Sequence, residues 1–220
     1  MGCQCQLPGG EEINEVKAKD EIQSLDINEN LKSQNINNLS SSSRNGEPED
    51  LFSKYIFEQI NALRQNPQSF IDKIENAKKN IREDKSGIKI YKTSVKVALA
   101  MGEKAFDEAI EVLKNTEPME KLKYNPDFVI DLPTNEEDVK SKEYIINQVK
   151  LKIEQGINIK SFWKDLVRDV ESCFILTIVD DTGKNSGKKR SDILNKENKY
   201  IGISTARIGK SFVCYIAINN

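Results

Sequence analysis

Residues 199–219, Lys199-Tyr200-Ile201-Gly202-Ile203-Ser204-Thr205-Ala206-Arg207-Ile208-Gly209-Lys210-Ser211-Phe212-Val213-Cys214-Tyr215-Ile216-Ala217-Ile218-Asn219, decide the fold class. Lys199–Ala206 and Ser211–Asn219 are rich in β-branched and aromatic residues, and Gly209-Lys210 lies between them. In the second run Phe212, Cys214, Ile216 and Ile218 alternate with Val213, Tyr215 and Ala217, so both faces are apolar, as in a strand covered on both sides. The spacing predicts a hairpin packed between helices.

Upstream of the hairpin the period changes. Phe52, Ile56, Ile60 and Leu63, with Tyr55 beside them, recur at three- and four-residue spacing and predict an amphipathic helix. Asn66-Pro67 breaks it and restarts a second, with Asn66 as N-cap and Pro67 at the first helical position, continued by Phe70, Ile71, Ile74, Ala77 and Ile81. A turn at Ser86-Gly87 precedes Ile88-Lys89-Ile90-Tyr91, an apolar stretch whose type the pattern leaves open. A helix is expected through Ala105, Phe106, Ala109, Ile110 and Leu113, ending near Pro118, and Pro126 and Pro133 mark loop. Two more helices are expected. Glu136–Glu154 carries Val139, Ile145, Ile146, Val149 and Ile153, and Ser161–Val179 carries Trp163, Leu166, Val167, Val170, Phe174 and Ile178. The fold class is α+β, many helices followed by a small antiparallel sheet.

The first fifty residues have another character. They contain no Phe, Tyr or Trp and carry four basic against ten acidic residues, whereas the rest carries 29 basic against 25 acidic. A segment rich in Asn, Ser and Glu, ending in Ser40–Ser43 and Gly46-Glu47-Pro48, cannot bury enough apolar surface to offset its ordering entropy. Residues 1–48 are therefore expected to form a disordered acidic tail ahead of a domain at 49–220. Within the tail, Val16, Ile22, Leu25 and Ile27 give Glu15–Leu31 a weak apolar side, too little for a stable isolated helix.

Several function classes fall away on composition. Lys and Arg total 33 against 35 Asp and Glu, a balance that gives no reason to expect a nucleic-acid partner. The chain has no histidine, which excludes Ser-His and Cys-His triads and His-ligated metals. Cys3, Cys5, Cys173 and Cys214 are too few and too scattered for a disulfide framework, and Cys173 and Cys214 sit in apolar runs as core residues do. No stretch reaches 18 apolar residues and nothing near Met1 has a signal-peptide core, so a reduced cytoplasmic setting is expected.

Two constellations invite chemistry. The loop 180–190 has three residues between Gly183 and Gly187, with Lys189 after Lys188. A phosphate-cradling loop needs one more residue between its glycines and a hydroxyl after the lysine, so no nucleotide is expected and the loop reads as a solvated basic one. Asp180-Asp181 would need further acidic ligands to hold a divalent cation, and the sequence supplies none, so no metal or cofactor is expected. The alternative is a hydrogen-bonded turn with Arg190 or Lys188 nearby, although a helix C-terminus is an unfavourable place for two anions.

Ile56–Pro67 resembles the opening helix of the CAP superfamily, the cysteine-rich secretory, antigen 5 and pathogenesis-related (SCP-like) proteins. Glu103–Leu113 followed by Leu122-Lys123-Tyr124-Asn125 is similar to a helix and "LxYN" step of its long protist-type members. Ile178-Val179-Asp180-Asp181, then Gly187-Lys188-Lys189-Arg190-Ser191-Asp192-Ile193-Leu194-Asn195 and Tyr200-Ile201-Gly202-Ile203, follow the order of the family's "IDDG…RGHRKNILNP…VGI" text. The resemblance spans about residues 50–220. It implies a three-layer α-β-α sandwich whose central sheet includes the 199–219 hairpin.

The family's cleft generally presents two histidines and two acidic residues. Here the "GHR" histidine falls at Lys188, or at Lys189 if the gap moves by one, and Pro126-Asp127-Phe128-Val129-Ile130-Asp131 offers no second one. The "GENI" element corresponds to Gly156-Ile157-Asn158-Ile159, with Ile157 in the glutamate position. A protonated ammonium and an alkyl group cannot ligate a metal. The resemblance thus implies a vestigial cleft of Ile157, Asp180, Asp181, Lys188 and Arg190, with no catalytic residue.

Met1-Gly2-Cys3-Gln4-Cys5-Gln6 supplies the second signal. Gly2, exposed after methionine removal, is an N-myristoylation acceptor, and Cys3 and Cys5 are placed for S-palmitoylation, although Gln6 stands where Ser or Thr is preferred. One myristoyl chain binds a membrane with an association constant of only about 10⁴ M⁻¹. An acidic tail cannot add a polybasic signal, which leaves the two thiols. The expectation is a non-enzymatic binding or scaffolding domain, peripheral on the cytoplasmic face of a membrane through a lipid anchor, its protein partner unidentified. The alternative is a structural subunit of a large ciliary or cytoskeletal assembly.

Overall fold

The computed structural model describes residues 46–93, 96–133 and 135–220. Gly2, Cys3, Cys5 and most of the 1–48 segment lie outside them. Asp50 opens the first helix, α1 (Leu51–Gln65), its carboxylate accepting the Ser53 N–H at 2.8 Å, one of the amides a helix start leaves orphaned. The predicted stripe of Phe52, Ile56, Ile60 and Leu63 is buried. Pro67 begins the next helical segment as expected, a 3₁₀ turn at Pro67–Phe70 leading into α2 (Ile71–Lys78). The Asn66 side chain, however, makes no capping hydrogen bond.

Ile81 does not continue α2. It starts β1 (Ile81–Glu83), which pairs antiparallel with β2 (Lys89–Lys92), and β2 pairs antiparallel with β3 (Lys96–Ala98). The open stretch at Ile88–Tyr91 is thus largely strand. Asp84 closes the β1–β2 turn by accepting from the Ser86 and Ile88 amides and the Ser86 hydroxyl. Next comes α3 (Glu103–Asn115), whose predicted face of Ala105, Phe106, Ala109, Ile110 and Leu113 is buried. A two-residue strand, β4 (Lys123–Tyr124), precedes a single turn at Pro126–Phe128. The helix expected over Glu136–Glu154 is two, α4 (Glu136–Lys140) and α5 (Lys142–Glu154), parted at Ser141, which caps the second by accepting the Glu143 N–H.

The largest departure from the sequence reading lies in Ser161–Val179, which is not one helix. Ser161–Val167 forms β5, and only Val170–Val179 is helical, as α6. Asp169 separates them, its side chain accepting the Ser172 N–H at 2.7 Å. The chain ends with α7 (Lys188–Ile193), β6 (Tyr200–Ile208) and β7 (Ser211–Asn219), the last two forming the predicted hairpin. The larger sheet has the order β4-β6-β7-β5. It is antiparallel from β6 to β5, with Ile216 of β7 between Ile203 and Trp163, and β4 joins β6 in parallel. Among the described residues the fold is α+β, with seven α-helices and two small sheets.

The alternation on β7 divides the core. Cys214, Ile216 and Ile218 enter a cluster with residues of α1, α2, α3 and α6, whereas Tyr215 and Ala217 meet Phe128, Ile130, Ile145 and Val149. Val213 completes a third, smaller group with Val139 and Ile208. Each fully buried side chain of this size contributes about 1.5–3 kcal/mol of transfer free energy, so a strand apolar on both faces anchors two packing layers at once. Gly202 permits the closest of these contacts. A Cβ there would stand 2.4 Å from the Cβ of Phe128, so the Pro126–Phe128 turn lies directly on β6.

Two polar side chains of α1 fix its place. Asn61 accepts the Leu122 N–H at 2.7 Å and donates to the Leu122 carbonyl at 3.1 Å, acting as a strand partner for the backbone before β4. Arg64 is buried, and its guanidinium donates to the carbonyls of Glu120, Ile193, Asn195 and Asn198. Burial lowers its pKa to about 10, which still leaves it cationic at neutral pH.

Candidate functional site

The polar cluster at the C-terminal end of α6 gathers most of the residues that the sequence singles out. The helix stops at Asp180, the one described residue other than glycine with positive φ (49°). Its last carbonyls would be left unpaired there. Arg190 of α7 meets them, donating to Ile178 O at 2.8 Å and Val179 O at 2.9 Å, a cation at the negative end of a helix dipole. Gly187 makes the room, since a Cβ at that position would come within 2.7 Å of Arg190 Nη2.

Each of the two adjacent aspartates has its own task. Asp180 is buried, and its carboxylate accepts the Lys189 N–H at 2.8 Å, in the opening turn of α7. Asp181 turns away to the start of α3, where its oxygens accept the Met101 and Gly102 amides at 2.9–3.0 Å. The electrostatic objection to two anions after a helix is thereby answered. Arg190 neutralises the α6 terminus, and both carboxylates cap other segments. The expected hydrogen-bonded turn is present, but its surroundings are not a solvated loop. Arg190 is buried, and Lys189 is held in an ion pair with Asp165 of β5 at 2.6 Å, the two side chains 16% and 20% exposed. Lys189 Nζ also lies 4.0 Å from Asp180 Oδ1.

The remaining expected residues lie apart. Lys188 is exposed and pairs with Asp192 at 2.8 Å, whose carboxylate also accepts the Ser161 hydroxyl. Ile157 packs against the cluster containing Tyr215 and Ala217, which is fed by the other face of β7. Asp180, Arg190 and Lys189 therefore come together, Asp181 and Lys188 border them, and Ile157 does not join them. Cys173 and Cys214 are both buried free thiols, as their apolar contexts predict. Their contact and burial push the Cys214 thiol well above its ordinary value, which makes it unreactive.

Asp165 and Arg64 are the residues that the sequence reading missed. Helical spacing through Ser161–Val179 hides Asp165, because a helix at its position turns it elsewhere. Arg64 carried a usable signal, since it lies four residues beyond Ile60 on the apolar stripe of α1.

Burial is the dominant influence on Asp180 and raises its pKa above 3.8, although Lys189 and Arg190 pull the other way. A carboxyl that binds its proton more tightly when folded stabilises the fold fully below its unfolded value and loses that contribution as the pH rises through the folded value. Asp180→Asn should flatten this dependence. The melting temperature of the native protein relative to the variant is expected to fall as the pH is raised from about 3.8 through the raised value. Thermal scans of both proteins between acidic and neutral pH measure the difference directly.

Among the described residues no group of three or more Asp, Glu or Cys side chains is placed to hold a metal ion. No described helix is long and apolar enough to cross a membrane. Comparison of the chain with protein-family models, with curated proteins and with solved structures finds no match.

Proposed function

We propose that the chain carries a non-enzymatic CAP-like binding or scaffolding domain, held at the cytoplasmic face of a membrane by acylation of Gly2, Cys3 and Cys5. The observation that supports the non-enzymatic part is the engagement of the charged groups at the expected cleft. Asp180 caps α7, Asp181 caps the start of α3, Arg190 closes α6 and Lys188 holds Asp192. A general acid or base needs a lone pair or proton facing substrate, whereas Asp180, Asp181 and Arg190 engage the backbone and Lys188 engages Asp192.

The packing supports the three-layer α-β-α form of the reading. Helices α1, α2, α3 and α6 feed the cluster reached by Cys214 and Ile216, and α5 feeds the cluster reached by Tyr215 and Ala217. The tether rests on the Gly2-Cys3-Gln4-Cys5 sequence and on the weakness of a single acyl chain. Metabolic labelling with alkynyl myristate and alkynyl palmitate tests it. Myristate incorporation should vanish in Gly2→Ala, and palmitate incorporation should vanish in Cys3→Ser/Cys5→Ser, each with a shift of the protein to the soluble fraction. Absence of label with soluble fractionation overturns the tether. Near-stoichiometric co-purification with a large detergent-resistant assembly would replace it with the structural-subunit reading.

A further inference from the structure

We infer that the outer face of the three-stranded sheet β1-β2-β3 is a docking surface for an anionic lipid bilayer, an inference that rests on the membrane-tether reading and names the second contact. The strand registers place side chains on two faces. Ile81, Tyr91 and Val97 share the inner face, with Ile81 and Tyr91 buried and Val97 packed against the core. Arg82, Ile90, Lys92, Lys96 and Ala98 share the outer one, and Ile90 is half-buried while the other four are exposed. Lys92 and Lys96 are direct cross-strand partners. Like charges in that position repel, and neither lysine has an ion-pair partner among the described residues.

The nearby carboxylates do not relieve this repulsion. Asp84 is occupied in the β1–β2 turn, and Glu83 is paired with Lys89 at 2.7 Å. Residues 81–98 hold five basic and two acidic residues, a net excess of three within a body whose whole excess is four. Ile88 stands 48% exposed at the end of the same face, an apolar side chain beside cations, as interfacial surfaces have. A basic face with an exposed isoleucine matches a layer of acidic headgroups with acyl chains beneath. Each basic side chain near such a membrane adds roughly five-fold to binding. The face thereby supplies the positive charge that the acidic tail lacks.

Co-sedimentation of the full unacylated chain with vesicles tests the assignment. Vesicles of phosphatidylcholine with about a third phosphatidylserine should bind at least ten-fold more tightly than phosphatidylcholine alone. Lys96→Glu removes one positive charge, adds a negative one and gives Lys92 a cross-strand partner. It should therefore weaken phosphatidylserine-dependent binding by roughly 25-fold without lowering the melting temperature. Lys150→Glu, the same charge change on the exposed side of α5, should leave binding within two-fold. Equal binding to the two vesicle types, an undiminished Lys96→Glu variant, an equal loss in Lys150→Glu, or tighter retention by polyglutamate than by the acidic vesicles would each overturn the assignment. Acyl labelling in cells without vesicle selectivity sinks the surface alone, and vesicle selectivity without acyl labelling sinks the tether alone.

Discussion

Arg64→Leu is expected to lower the unfolding free energy by about 3–5 kcal/mol, the loss that follows when a buried charged hydrogen-bonding group is removed from its partners. Arg64 is 1% exposed, and the Ile193 and Asn198 carbonyls that it serves are buried with it, whereas those of Glu120 and Asn195 lie at the edge of the core. Glu120 lies in the stretch before β4, and Ile193, Asn195 and Asn198 line the path from the end of α7 to β6. Leucine fills much of the volume but leaves the Glu120, Ile193 and Asn198 oxygens without this donor, at about 1–3 kcal/mol for each that cannot find water, while the Asn195 oxygen keeps the Asn198 N–H at 3.1 Å. Some will turn to solvent, which is why the whole is expected to be smaller than three such losses. For a body of this size the melting temperature should fall by roughly 10 °C. Arg64→Lys should recover only a fraction, because an ammonium cannot span carbonyls that lie around a planar fork. Denaturant unfolding with an unchanged m-value reports the effect, and a shift of the midpoint corresponding to less than 1 kcal/mol would show that the hub is dispensable.

Arg190→Leu should be comparably damaging, at about 3–5 kcal/mol, for a different reason. The guanidinium satisfies Ile178 O and Val179 O and lies beside a buried carboxylate. Its removal leaves Asp180 with Lys189 as the cation nearest to it, and Lys189 is already committed to Asp165 at the shorter distance. The double variant Asp180→Asn/Arg190→Leu removes both charges and should be less unstable than the sum of the single changes, by 1 kcal/mol or more. Strict additivity in that cycle would mean that Arg190 acts only through the α6 carbonyls.

The hairpin, α1 and α3 were legible in the sequence because each has one period and no competitor. Phe212 through Ile218 alternate without interruption, and Phe52, Ile56, Ile60 and Leu63 fall on a single stripe. The run Ser161–Val179 defeated the same method. Trp163, Leu166, Val167, Val170, Phe174 and Ile178 fit helical spacing, while Trp163 and Val167 also fit one face of a strand. The deciding signal is Asp169, an N-cap residue in mid-run that ends β5 and starts α6. Ile81 misled similarly, since apolar spacing carries on through Lys79 and Asn80 where the backbone does not. At the cluster, Asp180 and Arg190 were legible as neighbours. Their burial was not, because composition alone cannot distinguish a basic loop in water from one whose arginine is drawn under a helix end.

The sulfur pair enclosed between α6 and β7 has a practical consequence. With Cys173 and Cys214 sealed in the core, any fast alkylation of the native chain falls on Cys3 or Cys5. Counting adducts before and after hydroxylamine cleavage of thioesters therefore gives the acyl occupancy of those two sites without mutating any cysteine.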